Sequence, residues 1–308
     1  MSQRTLRTDI AQSPGSLPVD AGLALPRLSI AHRILPLLRA SLRTPELPAR
    51  ESDAASWWPA ALHGLPAVAL WRGAPPERQR AVLSRLNRSI LEEAWWIEKV
   101  GIAFAAKMVL LARTTDERML YALFAADEAR HLAAFSNWVN PEGSGSAFHA
   151  VLARLIDEGD RSTLTFVVQV VLEGWGLAWY RTLADACEDP SLAGVFAAIL
   201  AEEARHHGSG VVLAAEHPPG AAAVEILLPF LAMVAVGPQS TLTALDAELG
   251  PLSRPMRLQV LEELGGVTHA APRLSLLRRL MEKAPAQGVI DTLDAAGAFE
   301  PLPPEACT

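Results

Sequence analysis

Cysteine is nearly absent: Cys187 and Cys307 are the only two in 308 residues, and neither lies in a CxxC spacing. That argues against a disulfide framework and a thiolate metal site, and it fits a reducing cytoplasm. A strong charge of one sign is lacking as well. A formal net charge of -7 and a pI near 5.7 give no electrostatic reason to expect nucleic acid or an anionic membrane as partner. Long apolar runs are missing too. The most hydrophobic segment, 221–236, carries Glu225 and Pro229, is too short to span a bilayer comfortably, and reads as a buried helix. The N-terminal MSQRTLRTDIAQSPGS has basic residues with no apolar run behind them, so no signal peptide is expected. Runs of β-branched residues are scarce, while Ala, Leu, Arg and Glu dominate. With 50% of the residues apolar, these features predict an all-α protein with a substantial core.

Proline and glycine then divide the chain. Residues 1–74 form a Pro-rich extension in which Pro14, Pro18, Pro26, Pro36, Pro45, Pro48, Pro59 and Pro66 interrupt any helix beyond three turns. A short helix over 28–43 is expected there, and Trp57, Trp58 and Trp71 are expected to cover apolar surface of the main body. From Pro75-Pro76 the pattern changes. Residues 76–112 read as one helix of about 37 residues, roughly 55 Å long. Further helices are expected over 115–139, 147–158, 161–187 and 191–216, separated by the loop at Asn140–Ser146 and by Glu188-Asp189-Pro190. The region 75–217 is thus a bundle. Residues 218–308 add four helices, near 221–236, 239–248, 253–264 and 271–283, and an Ala/Gly/Pro-rich tail; no chemical constellation is visible there, and packing around the bundle is its expected role.

Inside the bundle a motif occurs twice. Asp127-Glu128-Ala129-Arg130-His131 returns 75 residues later as Glu202-Glu203-Ala204-Arg205-His206. A Glu and a His three positions apart share one helix face. Residues 98–131 align with 173–206 without a gap, and nine of the 34 positions are identical. Four of the nine are Ala, but the rest pair Glu98 with Glu173, Gly101 with Gly176, Glu128 with Glu203, Arg130 with Arg205 and His131 with His206. Two helix hairpins are implied, each carrying a Glu on its first leg and Glu-x-x-His on its second. The two legs of each hairpin climb and descend by about 20 to 25 Å, so all six side chains meet at one depth.

The third long helix carries the sharpest signal. Glu173 is the only charged residue between Arg161 and Arg181, on a segment apolar on every side. A lone buried carboxylate costs several kcal/mol unless it is protonated, paired or bound to metal. Glu92 and Glu93 compete with Glu98 as the first-helix ligand, and the repeat decides for Glu98; His207 competes with His206, but its repeat partner is Leu132. Four carboxylates and two imidazoles form an oxygen-rich set suited to Fe(II) or Mn(II), and their four charges neutralise two divalent ions. With open coordination positions, two ferrous ions can together reduce dioxygen.

Over about residues 76–215 the chain resembles the ferritin-like di-iron carboxylate family, on Glu98, Glu128-x-x-His131, Glu173 and Glu203-x-x-His206. The resemblance implies a ferritin-like four-helix bundle with extra N- and C-terminal helices, holding two Fe ions, or Mn and Fe. Carried over, Asp127 and Glu202 match the family's acidic residue that holds a ligand His from outside, although Asp is commoner where Glu202 stands; Arg130 and Arg205 match the Arg of its DExRH pattern. The implied activity is that of an O2-dependent oxygenase or oxidase that hydroxylates, N-oxygenates, desaturates or cleaves a small organic substrate. Its electrons would come from a ferredoxin or flavin reductase, and a homodimer is allowed. The alternative is an iron-handling or rubrerythrin-like peroxide-scavenging protein without an organic substrate. Phe135 stands where the radical-generating subunits of ribonucleotide reductase have Tyr, and Leu177 stands where multicomponent monooxygenases have Thr, which sets the chain apart from both. Tyr121 and Tyr180 are expected to be core aromatics. Gly174, Gly176, Gly208 and Gly210 either leave room for a substrate or serve close helix packing.

Overall fold

The structure, a computed structural model, describes residues 21–29, 31–42 and 53–308. The N-terminal basic stretch, Pro14, Pro18, Pro45, Pro48 and part of the expected 28–43 helix lie outside the described residues. Among those described there is no strand. Two helices precede the bundle, α1 (Leu35–Leu42) and the single turn α2 (Ala69–Arg72). The bundle helices are α3 (Pro76–Leu111), α4 (Thr115–Phe135), a third long helix and α8 (Pro190–Glu216). Between α4 and the third long helix lies α5 (Ala147–Glu158). The third long helix is continuous but not uniform. It opens as α6 (Arg161–Leu164), widens into a π-helical segment over Thr165–Leu172, and resumes as α7 (Glu173–Ala186).

Three of the four bundle helices start where the sequence supplies a side-chain cap, and α3 starts at Pro75-Pro76 without one. Thr114 accepts a hydrogen bond from the Glu117 backbone N at 3.1 Å, Asp160 from Thr163 N at 2.8 Å, and Asp189 from Ser191 N and Leu192 N at 2.8 and 3.1 Å. Pro76 and Pro190 occupy first-turn positions, where a missing N–H costs nothing. α4 stops at Phe135, earlier than the expected end near 139, and residues 136–138 continue as turns.

The flanking segments are built into the same interior. Trp57 and Trp58 are buried; Trp58 Nε1 donates to the Leu183 carbonyl at 2.9 Å, and Glu188 N donates to the Trp57 carbonyl at 2.8 Å. A second apolar cluster joins Leu65 and Val68, Val82 and Leu86 of α3, and the C-terminal residues Leu242, Leu245, Val260 and Leu261. The C-terminal segment comprises α9 (Ala222–Ala235), α10 (Gln239–Leu249), α11 (Arg254–Glu263), α12 (Gly266–Met281) and α13 (Gln287–Ala295). Two of these differ from expectation. α12 begins five residues before the expected 271 and keeps Pro272 inside, because Ala270, Leu274 and Leu277 bury its inner face and packing outweighs one missing hydrogen bond. α13 forms within the supposedly irregular tail, with Val289, Ile290 and Leu293 as its buried stripe. Among the described residues no single helix is long and apolar enough to cross a membrane. α9 and α10 together meet that test by length and composition only, bent by 54°.

Candidate metal centre

The six side chains aligned by the repeat converge. One ligand atom each from Glu98, Glu128, His131 and Glu203 lie within 4.8 Å of one another, and so do atoms from Glu128, Glu173, Glu203 and His206. Two four-residue groups therefore share Glu128 and Glu203, the carboxylates of the two Glu-x-x-His motifs. All but Glu173 are buried, at 1 to 5% exposure. Glu173 retains more accessible surface and lines a cavity that also reaches Glu98, Glu128 and Glu203.

Both histidines are turned the same way. His131 places Nδ1 at 3.1 Å from Glu98 and 3.0 Å from Glu203, and His206 places Nδ1 at 3.3 Å from Glu128 and 3.1 Å from Glu203. Each Nε2 faces an outer acid contributed by the other hairpin: Glu202 at 2.7 Å from His131, Asp127 at 3.3 Å from His206. Donation from Nε2–H to these acids leaves Nδ1 free as a ligand atom. Arg130 pairs with Asp127 and lies 3.6 Å from Glu202, and Arg205 lies 3.6 Å from Asp127 and 3.7 Å from Glu202. The outer acids and arginines thus form one network across both helices.

The electrostatics without an ion are unfavourable to the carboxylates. Burial, then the charge of Glu203, pushes Glu128 and Glu173 well above the ordinary carboxylate range. Burial would raise Glu203 too, but hydrogen bonds from His131 and His206 hold it low. Burial alone would lower the two imidazoles, yet Glu203 and Glu98 push His131 up to about 12, and Glu128 and Glu203 push His206 up to about 10. Protons thus take the place that cations would take. Glu203 sets Oε1 3.0 Å from His131 Nδ1 and Oε2 3.1 Å from His206 Nδ1, so each of its oxygens faces one imidazole nitrogen. A buried carboxylate flanked by two imidazoles and three further carboxylates is a donor set that fits divalent ions.

The glycines turn out to serve different ends. A Cβ at Gly101 would sit 2.3 Å from Glu128 Oε2, so the carboxylate occupies the space that a side chain would fill. Gly210 admits Gln169 in the same way, at 2.3 Å from Gln169 Cβ, and Gly174 admits Leu280 and His207. These are close-packing positions. Gly176 is the exception beside the cluster, since a Cβ there meets nothing within 4 Å and the position lines the cavity; Gly208 is also open but exposed.

Three features lie beyond the reach of the repeat. Tyr180 is a core aromatic as expected, packed on Phe135 and Phe196, and in addition donates its hydroxyl to Glu98 Oε1 at 2.7 Å; burial together with Glu98 pushes its pKa well up. Its spacing of seven from Glu173 is the one signal that could have marked that contact. Tyr121 belongs to the core as well, donating to Gln169 Oε1 at 2.9 Å. His207 and Glu93 stand outside both four-residue groups: His207 bonds the Gln169 carbonyl at 2.9 Å and Lys283 at 3.1 Å, while Glu93 lines the cavity. That cavity, about 480 Å³, is bounded by Glu98, Glu128, Glu173 and Glu203 and otherwise mainly by apolar groups such as Phe104, Trp175, Phe230 and Leu172. Trp57, Trp58 and Trp71 do not line it. The C-terminal segment, in which no chemical role was visible, contributes His269 and Arg273 to its wall.

Residues 86–213 match the family model described as a ferritin-like domain, a span that includes all six converging residues. No curated protein and no solved structure matches the chain.

Proposed function

We propose that this all-α ferritin-like bundle binds two iron ions, or one iron and one manganese, and is an O2-dependent oxidoreductase acting on a small organic substrate. The observation that carries the reading is the pair of four-residue groups sharing Glu128 and Glu203. Glu98 and His131 would complete one position, Glu173 and His206 the other, with Glu202 and Asp127 fixing the histidines from outside. Bound ferrous ions would supply electrons to dioxygen. Everything else falls to the chain. Tyr180 orients Glu98, Gly101 makes room for Glu128, and the open position at Gly176 leaves space beside Glu173. The mainly apolar wall offers contact surface to an apolar substrate beside the carboxylates.

A cavity of about 480 Å³ reaching the carboxylates supports an organic substrate over plain iron handling or peroxide scavenging, which needs no room of that size. An oxygenation that places one oxygen atom in substrate and one in water requires two further electrons and two protons, hence a ferredoxin or flavin reductase as donor. In the test, protein reconstituted anaerobically with Fe(II) should hold two irons per chain and consume oxygen once per reduction, faster with a substrate present. Failure to bind iron removes the reading. Turnover of hydrogen peroxide with no effect of any organic compound would favour the peroxide scavenger.

A further inference from the structure

Arg273 is a half-buried guanidinium on the wall of the cavity that reaches the carboxylate cluster. Its one hydrogen bond runs from Nη1 to the His269 carbonyl of its own helix at 2.8 Å, and among the described residues no carboxylate lies within ion-pair distance. One turn away, His269 keeps Nδ1 buried without a hydrogen-bond partner among the described residues. Two other polar groups on the same wall are satisfied: His63 Nε2 is 2.7 Å from Asn87 Oδ1, and Gln239 donates to the Val236 carbonyl at 3.2 Å. Glu93 also lines the cavity, but burial raises its carboxyl toward the uncharged form and it does not reach Arg273.

Even a half-buried guanidinium without a counter-charge loses part of its hydration, and its planar fork matches a carboxylate. The remaining wall is largely apolar, and the volume of about 480 Å³ lies within the ordinary range for small-molecule sites. We propose that the cavity binds a monocarboxylate with an apolar body, its carboxylate held by Arg273 and His269 and its body extending along the cavity toward Glu173. This rests on the reading of the carboxylate cluster as the reacting centre, but the binding claim can be tested apart from it.

The probes are octanoate and 4-phenylbutyrate, each against its primary amide, titrated calorimetrically into the purified full chain with and without bound metal. At least one acid should bind more tightly than its amide in both preparations. Arg273→Gln should weaken that acid by about 10- to 100-fold, the loss of a charge-assisted hydrogen bond, and leave the amide and the metal content unchanged. Arg273→Lys should retain part of the preference. Equal affinity for acid and amide, no binding of either acid, or acid binding that needs metal and ignores Arg273→Gln overturns the proposal. Should the Gln variant fail to fold, the acid and amide comparison on the unaltered chain decides alone. Absence of metal with Arg273-dependent acid binding would instead discard the dimetal reading and keep this one.

Discussion

The first hairpin, α3 with α4, and the second, the third long helix with α8, carry the same residues in the same alignment and use them differently. In the first, Glu98 is 1% exposed and held by the Tyr180 hydroxyl and by His131, and the space beside Gly101 is filled by Glu128. In the second, Glu173 follows directly on a π-helical segment, faces the cavity, and has open space beside the matching Gly176. Both copies reach the cavity wall, but only the second keeps open space beside its glycine. A π segment adds a residue to a turn and re-aims the side chains after it, a device that recurs at functional sites. Identical residue patterns can thus be packed differently by what surrounds them, tightly beside Gly101 and loosely beside Gly176.

Breaking what the halves share should have the largest effect. Glu203→Ala removes a carboxylate common to both four-residue groups and should reduce metal content from two ions to near zero, whereas Glu173→Ala should cost one. Metal analysis of reconstituted protein checks both, and equal losses would contradict the sharing. The glycines come next. Gly101→Ala places a methyl group 2.3 Å from Glu128 Oε2 and should destabilise the metal-free fold by about 1–3 kcal/mol, as overpacking does, while Gly176→Ala should stabilise it by up to about 1 kcal/mol through helix propensity. Chemical denaturation of the two variants would show whether the asymmetry holds. The smallest effects concern orientation. Asp127→Asn and Glu202→Gln should each weaken metal binding by about 10- to 100-fold. Tyr180→Phe should weaken it less, because Glu98 keeps its contact with His131 at 3.1 Å. Competitive chelator titrations would rank them, and a Tyr180→Phe loss as large as the other two would assign the tyrosine a greater part than orientation.

How far the sequence reveals this arrangement depends on what kind of information each part carries. The bundle helices are legible because caps such as Thr114 and Asp189, and breakers such as Pro190, act locally. The convergence of six side chains is legible because a charge on an otherwise apolar helix, Glu173, demands a partner, and the repeat shows where the partners are. Tyr180 and Arg273 are different. Tyr180 meets Glu98 across 82 residues of chain, and Arg273 reaches the cavity wall from a helix with no counterpart in the repeat. The π segment left no visible mark either, since Thr165–Leu172 is as apolar as an ordinary buried helix. The start of α12 lies before the expected 271 because the tertiary packing of Ala270 and Leu274 carries the helix through Pro272, which no local signal shows.

The crossed bonds from Glu202 to His131 and from Asp127 to His206 carry a consequence of their own. Reciprocal contacts of that kind, in which i meets j and j meets i, are what a twofold axis generates between identical subunits. A single hairpin paired with another copy of itself would satisfy the same bonds and bring together the same six side chains. The centre is therefore compatible with an origin in a symmetric dimer whose two halves were later joined in one chain. Fusion is what would then have allowed one half to acquire an open glycine and a π segment without imposing them on the other.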